Sequence, residues 1–221
     1  MSNNADDSGN SPDDSAAPTF ECSSIVFDTD GHVSFQASDL TSGSFYTNGN
    51  FTVEFWAWFS DVDLSVSRTL LSLGSNSAWW IGVEEGDLVF RVEETEIRGD
   101  APTSDWHHVA LVKDESLDEI RMYVDEKLFS EVLPFDQTFP PPDDDELHLA
   151  RSHGFSQSWE SAMDQIRFAE AVNYSGASMS ILDPMDTSDW QGVWHFDESL
   201  ANALNGQEGA GSNYEFVDSC P

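Results

Sequence analysis

Positive charge is what this chain most conspicuously lacks. Eight basic residues stand against 42 acidic ones in 221, and only Lys113 and Lys127 are lysines. The resulting net charge of −34 repels polyanions, so DNA, RNA and anionic lipid are poor partners. The acidic residues are spread along the chain rather than gathered in a tail. Such a surface is either cation-seeking or simply solvated and lysine-poor, as suits salty surroundings. Long apolar runs are missing too: no stretch reaches the about 18 residues that a membrane helix needs. Helical periodicity over three turns is absent. So are HExxH, CxxC, a glycine-rich phosphate loop and a serine–histidine–aspartate candidate.

Cysteine is nearly absent. The only two are Cys22 and Cys220, bracketing almost the whole chain. An even, isolated pair reads as a disulfide in an oxidising compartment, against the alternative of two unrelated free thiols. Residues 1–20, MSNNADDSGNSPDDSAAPTF, hold too little apolar surface to order themselves and read as a disordered, polar and acidic tether. No basic n-region or apolar h-region stands at the start, so no export signal is present in this chain. An oxidised pair needs export, so the expected location is secreted or cell-surface, with Met1 in place of a removed signal. Tethers of this composition also follow the lipid-bearing cysteine of bacterial lipoproteins.

What is present is core material for one β domain over residues 21–221, with 15 Phe and 8 Trp. SSIVFDTDGHVSF has two apolar runs around the turn signal Asp28-Thr29-Asp30-Gly31. NFTVEFWAWFS alternates Phe51, Val53, Phe55, Ala57 and Phe59 against Thr52, Glu54, Trp56 and Trp58, the period of a strand. RTLLSLGS and AWWIGVEEGDLVFRVEETEIRG follow, with Gly86-Asp87 as a hairpin turn. DEIRMYVDEKLFSEVL turns around Asp125-Glu126. DELHLARS, SAMDQIRFAEAV and WQGVWHFDE complete the expected strands. In DWHHVALVKD, strand alternation sends His107 and His108 to opposite faces, so they do not share an ion. Many short strands with regular turns predict an all-β, two-sheet antiparallel sandwich of jelly-roll type.

The order FTVEFWAWF, DWHHVALVKD, IRMYVDEKL, MDQIRFAEAV and GVWHFDES resembles the laminin G-like jelly roll of the concanavalin A-like lectin and glucanase superfamily. The resemblance covers residues 22 to 221 and implies two packed sheets, one concave, with the chain ends close together. Two features depart from it. Glu126 stands where the hairpin turn usually has glycine, which predicts a wider or strained turn. Asn202 and Asn205 stand near a position more often held by aspartate.

The resemblance implies a structural Ca²⁺ held by Asp164 of MDQIRF together with Asp28, Asp30 and a carbonyl at Gly31. The chemistry suits an ion that takes six to eight oxygens. It also implies glycan binding on aromatic platforms, for which Trp79, Trp80 and Trp159 are the candidates; Trp56 and Trp58 are either core or concave surface. Glycosidases of the superfamily pair carboxylates on one strand about 5 Å apart. The nearest pattern is Glu94 and Glu96 of RVEETEIRGD, with no aspartate between them. PFDQTFPPPDDDELH reads as a stiff loop in which Asp143 to Asp145 are a solvated charge run or a loose calcium site. The expectation is a non-catalytic extracellular binding or adhesion module for a glycan or protein, supported by Ca²⁺. The alternatives are a self-associating structural subunit of a surface assembly and, behind it, a glycan-processing enzyme.

Overall fold

The computed structural model describes residues 23–40, 44–46, 49–59, 62–75, 77–136, 138–151, 158–181, 188–219 and 221. The expected tether, residues 1–20, and both cysteines, Cys22 and Cys220, lie outside the described residues.

The described chain is all-β apart from one 3-10 turn at Ala37–Asp39. The strands are β1 (Ser24–Gln36), β2 (Phe51–Trp58), β3 (Arg68–Leu73), β4 (Trp79–Glu84), β5 (Asp87–Val92), β6 (Thr95–Asp100), β7 (Trp106–Asp114), β8 (Glu119–Val124), β9 (Lys127–Leu128), β10 (Leu133–Pro134), β11 (Glu146–Leu149), β12 (Ala162–Ala169), β13 (Gly192–Trp194) and β14 (Ala210–Val217). Every pairing is antiparallel. The order is β10-β8-β7-β2-β12-β1-β11-β3-β4-β5-β6, with β13 beside β12, β14 beside β1 and β9 beside β8. The continuous sheet curls back on itself as a jelly roll. The first layer is β8-β7-β2-β12 with the start of β1; the second is the end of β1 with β11-β3-β4-β5-β6.

The core lies between the layers. The alternation of β2 puts Phe51, Val53, Phe55, Ala57 and, just past its end, Phe59 inside, each at most 2% exposed. Phe51 stacks on Trp79 of the facing layer with ring centroids 6.1 Å apart. Burying such aromatic side chains is the main source of cohesion in a sandwich.

Three local expectations are corrected. Asp28-Thr29-Asp30-Gly31 is not a turn between two strands. It is an irregularity inside the single strand β1, where the pairing with β14 shifts between Phe27 and His32 and Asp30 takes a φ of 62°. A Cβ on Gly31 would run into the carbonyls of Asn213 and Asp28, so only glycine fits this crossing. The β4–β5 turn is Glu85-Gly86 rather than Gly86-Asp87, because Glu84 already pairs with Asp87. Last, β14 was missed: AGSNYEFV has little apolar alternation and is ordered by pairing along β1.

The Asp125-Glu126 turn is tight, not wide. Val124 pairs with Lys127, and both turn residues have positive φ, 46° and 67°. Two non-glycine residues in that region store strain of about 1–3 kcal/mol each. The Asp125 side chain compensates locally by accepting a hydrogen bond from the His108 amide at 3.1 Å.

Candidate functional site

The outer face of the first layer carries the residues that alternate away from the core. In register, Trp58 faces Trp106, Trp56 faces His108 and Glu54 faces Ala110; across the other edge of β2, Asp164 faces Trp56 and Arg167 faces Glu54. Half of this face is capped by the chain that follows β12. Tyr174 and Met179 pack on Ala110, Val112 and Tyr123, and Trp190 packs on Ala169 and Val193.

A charged cluster lies sealed under the cap. Glu54 is fully buried and paired with Arg167, the Tyr174 hydroxyl donates to it, and His108 Nε2 stands 3.5 Å away. The Arg167 guanidinium lies over the Trp190 ring, 4.8 Å from its centroid. Burial pushes the Glu54 carboxyl up, but His108, Arg167 and Tyr174 outweigh it and hold it below the ordinary carboxylate range.

Beyond the cap the face opens onto a tryptophan ledge. Trp56 and Trp58 are partly exposed and Trp106 is 9% exposed. Trp58 and Trp106 meet edge to face at 5.9 Å, and Trp56 meets His108 at 5.2 Å. Asp105 and Asp125 are exposed at the rim. His107, on the opposite face of β7 from His108, binds Asp125 through Nδ1 at 2.6 Å. The doublet is therefore split between two environments, as strand alternation requires. The ledge was visible in the sequence only as two tryptophans opposite the phenylalanine stripe; Trp106 joins them through the β2–β7 register.

The tryptophans expected to bind glycans do not form a platform. Trp79, Trp80 and Trp159 are 2%, 2% and 0% exposed. Trp79 is core. Trp159 packs edge to face on Phe59 at 4.9 Å. Trp80 lies on the outer face of the second layer, but Arg91 covers its ring at 5.6 Å and its indole N–H donates to Thr69 Oγ1 at 2.9 Å. Stacking a sugar needs an accessible ring face, which burial removes.

The expected calcium residues are also not assembled as a set. Ile25 pairs with Met163 and Val26 with Ala162, so Asp164 lies beside Ser24. Asp28 is four residues further along β1, about 13 Å at the strand rise. Asp28 and Asp30 are exposed, and the Asp28 carbonyl accepts from the Ser158 hydroxyl at 3.2 Å. Asp164 instead has Asp197 as its charged neighbour. It is 1% exposed and accepts the Gln165 amide at 2.7 Å. Burial, reinforced by Asp197, pushes its carboxyl up to about 8. Nearby, the buried Ser24 hydroxyl has no hydrogen-bond partner among the described residues. Asp197 and Ser24, both neighbours of Asp164, offer oxygen donors, the type a calcium-like cation takes.

Other acidic candidates have structural partners. Glu94 lies in the β5–β6 turn, while Glu96 bonds Arg91 and Arg98, so the two are not a facing pair. Asp145 binds residues 44–46: the Ser44 hydroxyl donates to it at 2.6 Å, and the Phe45 and Tyr46 amides at 2.9 and 3.0 Å. Asn202 ties β13 to the 3-10 turn, accepting from the Val193 amide and donating to the Asp39 carbonyl.

Comparison with known proteins agrees with this architecture. The family model Laminin_G_3, described as the concanavalin A-like lectin/glucanases superfamily, matches residues 27–172. Among curated proteins, the chain is 26% identical over 95 residues to "Non-toxic nonhemagglutinin type D" of Clostridium botulinum D phage; the match covers 39% of this chain and 8% of that protein. A candidate carbohydrate-binding protein from Bacteroides ovatus superposes with a TM-score of 0.68 at 16% identity, covering 89% of this chain and 60% of that one. A heptameric pentraxin from Limulus polyphemus gives 0.57 at 11% identity, covering 90% and 96%. At these identities the structural likenesses concern the fold.

Proposed function

Because the chain belongs to the Laminin_G_3 family of the concanavalin A-like superfamily, we propose that it is a non-catalytic binding module that recognises an extracellular glycan on the Trp56–Trp58–Trp106 ledge. The observation that carries this reading is the ledge itself. Three tryptophans on neighbouring strands share the part of the outer face that the described cap does not contact, with the exposed Asp105 next to Trp106 in sequence. Aromatic faces stack on the apolar faces of sugar rings, and rim carboxylates accept hydrogen bonds from hydroxyls. The net charge of −34 disfavours uronic or sulfated sugars, so the ligand is neutral or cationic. The name of the Bacteroides ovatus neighbour, a candidate carbohydrate-binding protein, points the same way.

Calcium belongs to the same reading. Asp164 is the register partner of Trp56, so an ion held by Asp164 and Asp197, with the Ser24 hydroxyl beside it, would brace the ledge from below. It would supply the positive charge that these oxygens lack, and it would couple ligand binding to metal occupancy. The test is a titration of neutral polysaccharides followed by tryptophan fluorescence and calorimetry, in calcium and in chelator. Trp58→Ala should abolish binding while the fold is retained. Wild-type affinity in that variant would move the site elsewhere, and no binding to any neutral or amino sugar would overturn the glycan reading.

A further inference from the structure

Strand β11 carries a chemistry that the tryptophan ledge does not use. Leu147 and Leu149 are fully buried, so Glu146 and His148 project together from the outer face of the second layer, and Asp144, in the bend just before β11, brings its carboxylate to them. This is the opposite side of the sandwich from the ledge. One ligand atom from each, two carboxylate oxygens and one imidazole nitrogen, lie within 4.8 Å of one another. Ligand atoms at about 2.0–2.2 Å on tetrahedral directions of one ion are about 3.3–3.6 Å apart. Side-chain closure of at most about 1.5 Å would bring the trio to that spacing.

The scaffold holds that geometry. β11 is bonded on both sides, with Glu146 opposite Gln36 and His148 opposite Ser34 and Ser72. Outer contacts aim the ligands: the Ser75 amide donates to Asp144 Oδ1 at 3.2 Å, and Gln36 Nε2 donates to Glu146 Oε1 at 2.5 Å. His148 Nε2 already points at Asp144 Oδ1, 3.4 Å away. Backing of this kind orients metal ligands and tunes their affinity. Unlike Glu84, Glu96 and Glu160, which take arginines, Asp144 and Glu146 are bonded to no arginine or lysine among the described residues. Two carboxylates are thus held together beside an imidazole without a basic side chain to neutralise them.

We propose that Asp144, Glu146 and His148 bind a divalent transition-metal ion. The imidazole selects the class: Ca²⁺ and Mg²⁺ prefer oxygen donors alone, whereas Zn²⁺, Co²⁺ and Mn²⁺ accept a mixed nitrogen and oxygen set. Zn²⁺ binds such sets more tightly than Mn²⁺. The three ligands come from one side, so the remaining positions on the ion face solvent.

The test is calorimetric titration of the metal-stripped full chain with Zn²⁺, in millimolar Ca²⁺ to fill oxygen-only sites. One Zn²⁺ per chain is expected, with affinity lowered at least about tenfold in His148→Ala. Asp144→Asn gives the same readout should His148→Ala fail to fold. Absence of Zn²⁺ binding, or wild-type affinity in these variants, overturns the assignment. Glycan titration of the same variants separates this site from the ledge: loss of Zn²⁺ binding with sugar binding intact is the expected pattern.

Discussion

Trp58 and Trp106 face each other across the β2–β7 ladder, their rings 5.9 Å apart and nearly perpendicular at 71°. Three residues earlier on β2, Phe55 points the other way and is fully buried. The two sides of one strand therefore make opposite predictions. Phe55→Ala should cost roughly 3–5 kcal/mol, as expected for an aromatic removed from a packed core. Trp58→Ala should cost only about 0.5–1.5 kcal/mol, the worth of an edge-to-face pair. Denaturant unfolding of both variants checks this, and equal losses would refute the assignment of faces.

Glu54 makes stability sensitive to acid. Its folded pKa is lowered from 4.5, so its contribution is complete above about that pH and is lost as pH falls through the folded value. Glu54→Gln should be less stable at neutral pH by roughly 3–5 kcal/mol, because Arg167 is left buried without its counter-charge. The variant should also lose part of the wild-type decline in stability below pH 4.5. Melting temperatures between pH 3 and pH 7 would show the two curves converging; parallel curves would rule Glu54 out as the source.

Calcium at Asp164 should raise stability by about 2.7 kcal/mol at a hundredfold excess over Kd. Asp164→Asn should abolish that gain, whereas Asp28→Asn and Asp30→Asn should leave it intact, since those two side chains lie further along β1. Thermal melts in calcium and in chelator distinguish these outcomes. Identical melts for the wild-type chain would remove the ion from the proposal.

The register of the chain ends bears on the two cysteines. Ser24, two residues after Cys22, pairs with Val217, three residues before Cys220. A disulfide there would close a loop of about 200 residues and contribute up to about 5 kcal/mol in the chain-entropy model. Thiol titration of unfolded, unreduced protein should find no reactive thiol in material made under oxidising conditions. Two per chain would refute the bridge.

The alternation of NFTVEFWAWFS determined by itself which residues share the core face of β2, because side chains on a strand repeat every two positions. The same period separated His107 from His108. The motif order was sufficient for the family and the jelly roll. Period two does not say which outer face another segment will cover, and that decided the candidate site. Trp80 alternates outward yet is closed over by Arg91, while Trp56 and Trp58 stay partly exposed and the described chain after β12 packs instead on Ala110, Val112 and Tyr123. Nor does local pattern carry register. Only the pairing of β1 with β12 set Asp164 beside Ser24 and away from Asp28, and only pairing along β1 made a strand of AGSNYEFV. Asp144 was legible as part of the charge run Asp143 to Asp145, and Glu146 and His148 as residues of an expected strand, but the three were not legible as a trio. Their convergence depends on the bend that carries Asp144 and on the strands that flank β11, and a sequence records the residues of a strand without recording its neighbours.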